Sequence, residues 1–312
     1  MFEIKRYTPQ EEKTWDQFVT CSKNGTFLFL RQYMDYHSSR FRDHSLLFYD
    51  ERCLYAVMPA NEEGTTLHSH QGLTYGGLVV NERATVSGIC HLFEEMNDYL
   101  SQQHFSKVIY KAVPWIYHRQ PSEEDLYAIA NICQGNLVTR HISTTISLSD
   151  PIHWRRDHRY GANKAFSDGI TVEQSNDFAG FWNVLNDNLL QKYGAQPVHS
   201  LDEITLLHDR FPQHIRLYTA KKDGILLGGT VVYCCEKVAH AQYISATPEG
   251  KRLHAIDALF KHVLADESLG ALFFDFGKSS NGDGHDLNTS LVSQKEGFGG
   301  RGICYDWYEW TL

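Results

Sequence analysis

Apolar residues gather in short runs along most of the chain, and the runs have the length of strands. Ser-Leu-Leu-Phe-Tyr at 45–49 and Cys-Leu-Tyr-Ala-Val-Met at 53–58 flank a polar turn at Asp50, Glu51 and Arg52, a hairpin pattern. Pro59 interrupts, and Gly72–Val80 reads as a further strand. Helical spacing takes over after Ser87, with Ile89, Leu92, Phe93, Met96 and Leu100 on one face. Lys107–Val113 is a strand ended by Pro114. A second helix starts after Ser122, where Glu123, Glu124 and Asp125 suit a first turn. Ile142–Leu148 closes the series as its last strand.

The same order then returns. Ile215–Ala220 runs into the turn Lys221-Lys-Asp-Gly224, Ile225–Tyr233 comes back, and Ala239–Ser245 adds a third strand. A helix over 253–266 carries Leu253, Ile256, Leu259, Phe260 and Val263 on one face. The apolar strand Ala271–Phe276, a Gly-rich loop, a helix near 287–296 and the strand Cys304–Trp310 complete the second series. Helical segments precede each series, at 9–22 in the first and at 177–193 and 201–210 in the second. The His- and Arg-rich stretch 150–163 reads as the connector. An element order repeated with little identity predicts two α/β (α+β) domains, 1–150 and 151–312. Each is expected to hold a mixed central sheet flanked by helices.

Composition narrows the class. Hydrophobic residues are 42 % of the 312, enough for real cores, and the net charge of −9 argues against a broadly basic surface for nucleic acid or lipid. The apolar runs fall short of the roughly 20 residues of a membrane-crossing helix. The start Met1-Phe2-Glu3-Ile4-Lys5-Arg6 lacks the apolar core of an export signal. A cytoplasmic protein without membrane insertion is expected. The seven cysteines are scattered and form no CxxC pair, which fits free thiols in a reducing compartment. His68-Ser-His70 puts two imidazoles on one strand face, but no Cys or acid lies near and a structural zinc needs four ligands. No metal is expected, and hydrogen-bonded histidines are the plainer reading.

The phrases Leu30-Arg-Gln-Tyr-Met-Asp-Tyr-His37, Gly72-Leu-Thr-Tyr-Gly-Gly77 and Asp275-Phe-Gly-Lys-Ser279, and Leu287-Asn288 followed by Gln294-Lys-Glu-Gly-Phe-Gly299, resemble FemABX-like proteins. The element order is similar to the GNAT acyltransferase fold in tandem. The resemblance implies two GNAT-like domains and an N-acyltransferase that joins an acyl or aminoacyl group to a primary amine. It implies acyl-CoA or aminoacyl-tRNA as a donor substrate, with tRNA only as donor carrier, and no tightly bound cofactor. The acceptor would be a small-molecule or peptide-like amine. A non-catalytic ligand-binding protein on the same scaffold is the alternative.

The resemblance also directs attention to particular residues. GNAT enzymes hold a pyrophosphate on a loop of the form Q/R-x-x-G-x-G/A, whose N–H groups face the phosphates. The matching stretch, Ala246–Ala255, offers Gly250, Lys251 and Arg252 as cofactor-binding residues. One glycine predicts weak phosphate binding through this loop alone. The loop 277–286 follows an apolar strand and precedes a helix, where open sheets bind ligands. Lys278, Ser279 and Asn288 are its candidate substrate-binding residues, against the reading of a solvated turn. Tyr75 and Tyr243 lie in or beside the third strand of each half, either as polarising phenols where strands splay or as ordinary strand tyrosines. Asp275 is the candidate general base, with a loop-stabilising carboxylate as its other reading. Lys192–Ser200 is either a lid supplying Tyr193 and His199 or a connector in which Ser200 caps the next helix with Glu203.

Overall fold

The computed structural model describes residues 1–312 apart from the side chain of Tyr193, so that candidate lid residue lies outside the described side chains. In chain order the elements are β1 (Phe2–Arg6), α1 (Glu12–Cys21), α2 (Arg31–Met34), β2 (Arg42–Asp43), β3 (Leu46–Asp50), β4 (Cys53–Met58), β5 (Asn61–Glu63), β6 (Thr66–His68), β7 (Val79–Val80), α3 (Val86–Gln102), β8 (Lys107–Lys111), α4 (Glu124–Asn131) and β9 (Asn136–Ser147). There follow α5 (Arg156–Ser167), β10 (Thr171–Ser175), α6 (Phe178–Tyr193), α7 (Leu201–Arg210), β11 (Ile215–Lys222), β12 (Ile225–Cys234), β13 (Val238–Ala246), α8 (Pro248–Arg252) and α9 (Ala255–Val263). The chain ends with β14 (Phe273–Lys278), β15 (Ser280–Asn281), β16 (Asp286–Leu287), α10 (Thr289–Gly297) and β17 (Arg301–Thr311).

Two compact units result. One holds Met1–Ile142, Ser280–Leu287 and Ile303–Leu312, and the other Ser143–Ser279 and Asn288–Gly302. These bounds differ from 1–150 and 151–312, and the closing strands explain why. The strand expected to end the second half, β17, pairs antiparallel with β8 of the first unit, Trp307 opposite Lys111 and Thr311 opposite Lys107. The strand expected to close the first half supplies Ser143–Ser147 to the second unit, where it pairs with β14.

In the first unit β1, β3, β4 and β7 form one sheet. A second runs β17–β8–β6–β5–β2, with β6 and β8 parallel. Ile89, Leu92, Phe93, Met96 and Leu100 of α3 are all buried in the first core, as their spacing predicts. Gly72–Val80, expected to be a strand, pairs only at Val79–Val80. Gly77 takes φ +86°, outside the extended region, and Gly76 and Gly77 are both closely packed: a Cβ at Gly76 would lie 1.7 Å from Ser69 O, and one at Gly77 2.7 Å from the Tyr110 ring. His68 ends β6, and His70 lies beyond it with φ +65°, so the two imidazoles do not share a strand face.

In the second unit the strand order is β10–β11–β12–β13–β14–β9. Three further differences from the sequence reading appear here. The stretch read as a connector contains the start of α5, whose buried face is Gly161, Ala162 and Ala165. The helix expected over 253–266 is α9, which starts only after His254, held at φ +60°, and a separate short helix, α8, precedes it. Leu272, in the run read as an apolar strand, precedes β14 and is 48 % exposed, whereas Phe274 is fully buried. No helix among the described residues is long and apolar enough to cross a membrane.

Candidate active site

β13 and β14 run parallel and pair only from Val238–His240 against Phe273–Asp275. Gln242 is an extra residue in the β12–β13 ladder, where Val231 faces Tyr243 but Val232 faces Ala241. Such a bulge bends and re-aims a strand. Beyond His240 the two strands part, and the opening is a cavity of about 380 Å³. Ile244 of β13 and Phe276 of β14 face it, with Leu185 and Leu189 of α6, Ile256 and Phe260 of α9, and Phe298. Its polar lining is Asn188, Lys192, Ser245, Lys251, Gln294 and Lys295, without a carboxylate. An apolar cleft with a few convergent polar groups is the usual form of a ligand site.

Lys295 sits in the last turn of α10, only 5 % exposed. Its Nζ donates to Gly277 O at 2.8 Å, Lys278 O at 3.1 Å and Ser279 Oγ at 2.8 Å. Gly277, with φ +76°, makes the turn that brings these oxygens to one point. Burial pushes the ammonium down to about 8, and Asp275 pulls the other way. Lys295 falls inside the phrase Gln294–Gly299 that carries the resemblance, yet it is not among the candidate site residues read from the sequence.

The loop candidates prove to be parts of this clip. Asp275 is fully buried. Its Oδ1 accepts from Ser143 Oγ, from Thr145 Oγ1 at 3.0 Å and from Gly277 N at 3.2 Å, and His240 Nδ1 lies 2.9 Å from Oδ2. A carboxylate so enclosed ties β14 to β9 and β13 and has no open path to an amine. The loop-stabilising reading therefore fits Asp275 better than the general base. Ser279 is buried on Lys295, and the Lys278 carbonyl accepts from it. Burial lowers the Lys278 ammonium, which does not line the cavity. Asn288 is the N-cap of α10, its Oδ1 accepting from Leu291 N at 3.1 Å and Ser290 Oγ at 2.9 Å.

Tyr243 and His199 come together, with the phenol 2.6 Å from His199 Nδ1 and accepting from His199 N at 3.2 Å. Burial pushes this phenol up to about 12. The Trp182 ring meets it edge-on at 5.1 Å, and neither Tyr243 nor His199 lines the cavity. Ser200 caps α7 in a capping box with Glu203. Of the three cofactor-binding candidates, Lys251 alone lines the cavity, its Nζ donating to Asn188 Oδ1 at 2.6 Å. Gly250 gives its N–H to Thr247 Oγ1, and a Cβ there would lie 2.1 Å from Leu227 O. Arg252 is ion-paired with Glu249. Tyr75 belongs to the first unit, 1 % exposed, with its phenol on Thr26 Oγ1 at 3.1 Å.

Residues 153–284 match the acetyltransferase (GNAT) domain family. No curated protein matches the chain in sequence. Among solved structures, FemX superposes with a TM-score of 0.71 at 11 % identity, over 99 % of this chain and 97 % of FemX. L-PGS from Bacillus licheniformis follows with a TM-score of 0.61 at 12 % identity, over 98 % of this chain and 92 % of its own. A tandem GNAT protein from the clavulanic acid biosynthesis pathway gives 0.50 at 12 % identity, covering 100 % of this chain and 98 % of that one. The opened strand pair lies within the matched residues, and the chain has the FemABX-like tandem GNAT fold with an acetyltransferase-type domain at 153–284.

Proposed function

We propose that the protein is an N-acyltransferase in which the activated carbonyl of an acyl or aminoacyl donor lies in the splay of β13 and β14. The cavity that opens there, with Lys295 at its polar end, carries this reading. Past His240 the edge of β13 has no strand partner on that side, so its backbone is available to hold a donor. The acceptor is a primary amine of a small molecule or a peptide-like compound. Its nitrogen attacks the donor carbonyl, the C–N bond forms, and the oxygen gains negative charge. Three cations line the cavity, Lys192, Lys251 and Lys295; Lys295, whose three N–H bonds are given to the loop at 277–279, acts on that charge through its field. The intermediate then expels the thiol or hydroxyl of the donor, and the proton lost by the amine leaves on that group. No carboxylate lines the cavity to take it first.

The donor is held by its acyl end more than by phosphates. α8 begins at Pro248, which has no N–H, and Gly250 N–H is already taken by Thr247. Lys192 and Lys251 add charge at the cavity in place of a backbone nest. GNAT domains take acyl-CoA, which makes acyl-CoA the first donor to test, with aminoacyl-tRNA second. The free thiols favour a cytoplasmic setting. A non-catalytic ligand-binding role is the second reading, favoured by the enclosure of Asp275.

Calorimetry with a panel of acyl-CoAs, followed by aminoacyl-tRNA on filters, tests the site. Binding of one class is expected, and Ile256→Trp, which fills the cavity, is expected to abolish it. Retention in Ile256→Trp, or binding of neither class, would discard the site. Donor binding without transfer to any amine in a broad panel would favour the non-catalytic role.

A further inference from the structure

The second unit contains another cavity, of about 460 Å³, away from the splay. Ile146 and Leu148 of β9 and its extension form one side, the connector residues Ile152 and Trp154 another. Leu264 and Ala265, just past α9, complete the apolar wall. Ile152 is left 45 % exposed, an apolar group facing water at the opening. α9 divides this cavity from the first: Ile256 and Phe260 face the donor cavity, while Lys261, Leu264 and Ala265 face this one.

The charged lining is Arg159 and Lys261, with His153 and Asn163 beside them, and no acid joins them. Asp157 is paired with Arg155, Asp168 with Lys164, and Asp257 with His158 and His254; Asp266 accepts from Tyr218 and Ser268, and Asp150, beside Pro151, is exposed. Lys261 donates to a neutral partner, Asn163 Oδ1, at 2.6 Å. Two cations at the edge of an apolar cleft, neither paired with a carboxylate among the described residues, complement a ligand with one anionic end and an apolar body.

We infer that this cavity is a second ligand site, taking a single-chain amphiphile with a carboxylate head. The head pairs with Arg159 and Lys261, and the chain lies along Leu148, Trp154 and Leu264. Trp154 also links the two cavities, since its ring meets Phe298 edge-on at 4.9 Å and Phe298 lines the donor cavity.

The probe is dodecanoate, below the concentration at which it forms micelles, titrated into the full chain and followed by calorimetry and tryptophan fluorescence. Saturable one-to-one binding is expected, with dodecanol at least about tenfold weaker for want of the charge-assisted contacts. Leu264→Trp fills the cavity and is expected to remove binding. R159E/K261E alters only exposed ends and is expected to weaken binding by at least about tenfold with the circular dichroism unchanged. Ile256→Trp, in the donor cavity, is expected to leave dodecanoate binding as it is. Absence of saturable binding overturns the inference, and so does binding that survives R159E/K261E or is lost in Ile256→Trp.

Discussion

Lys111 in the first unit and Lys295 in the second make nearly the same set of contacts. Each ammonium is buried under a loop, Lys111 donating to the carbonyls of Gln71 at 2.8 Å and Leu73 at 3.1 Å, Lys295 to Gly277 O and Ser279 Oγ. The surroundings differ. Beside β8 the space is filled by Tyr110, fully buried, whose phenol accepts from Leu78 N at 2.7 Å and donates to Asp125. Gly77 packs flat against that ring. Beside β14 lies the cavity opened by the parting of β13 and β14. A buried lysine fastened to a loop is thus a device for holding the loop, and chemistry needs room beside it as well.

The largest test of this contrast substitutes each lysine by methionine. Both variants should lose stability, by about 1–3 kcal/mol for each buried acceptor left unpaired. Once an assay exists, Lys295→Met should also cut turnover per folded molecule by roughly a hundredfold or more. Lys111→Met should leave turnover per folded molecule unchanged. Denaturant titration and steady-state rates measure the two effects separately, and equal rate losses would erase the distinction.

A second test uses pH, where the units should respond with opposite sign. Burial raises the Asp125 carboxyl from 3.8 to about 6. Across that interval the unfolded chain releases its proton first, so the contribution of Asp125 to stability falls as pH rises from about 4 to 6. Lys295 is lowered from 10.5 to about 8. There the folded chain sheds its proton first, so stability rises from about pH 8 to 10.5 while turnover declines as the ammonium is lost. Urea midpoints across pH should show both slopes, the first removed by Asp125→Asn and the second by Lys295→Met.

The element order, the capping box of α7 and the buried face of α3 were all legible in the sequence, because each rests on neighbours within a turn or two. What could not be read depended on distant residues. The enclosure of Asp275 needs Ser143 and Thr145, which lie 132 and 130 positions away. Lys295 is buried only because the loop at 277–279 folds over it. α5 hides its contact face in Gly161, Ala162 and Ala165, residues too small to mark a stripe. The exchange of closing strands leaves no trace in periodicity, since β9 and β17 read as strands whichever partner they take.

The smallest expected effect concerns the phosphate loop. Arg252→Ala should leave donor affinity within about a factor of two, because its partner is the exposed Glu249. Lys251→Ala should weaken donor binding several-fold, about the loss expected of one charge-assisted contact. Calorimetry on the two variants ranks them, and the reverse order would restore the helix start as the phosphate anchor.

The pairing of β17 with β8 also sets a schedule for synthesis. Lys107 and Glu309, which join across those strands, are 202 positions apart. A ribosome builds β8 early and β17 only after every strand of the second unit has emerged. Until then β8 presents the edge that β17 will cover to whatever else is near, and long-range pairing of this kind is slow to form. The nascent first unit is therefore incomplete through most of translation, and the second unit has all of its strands while the first is still waiting for its last.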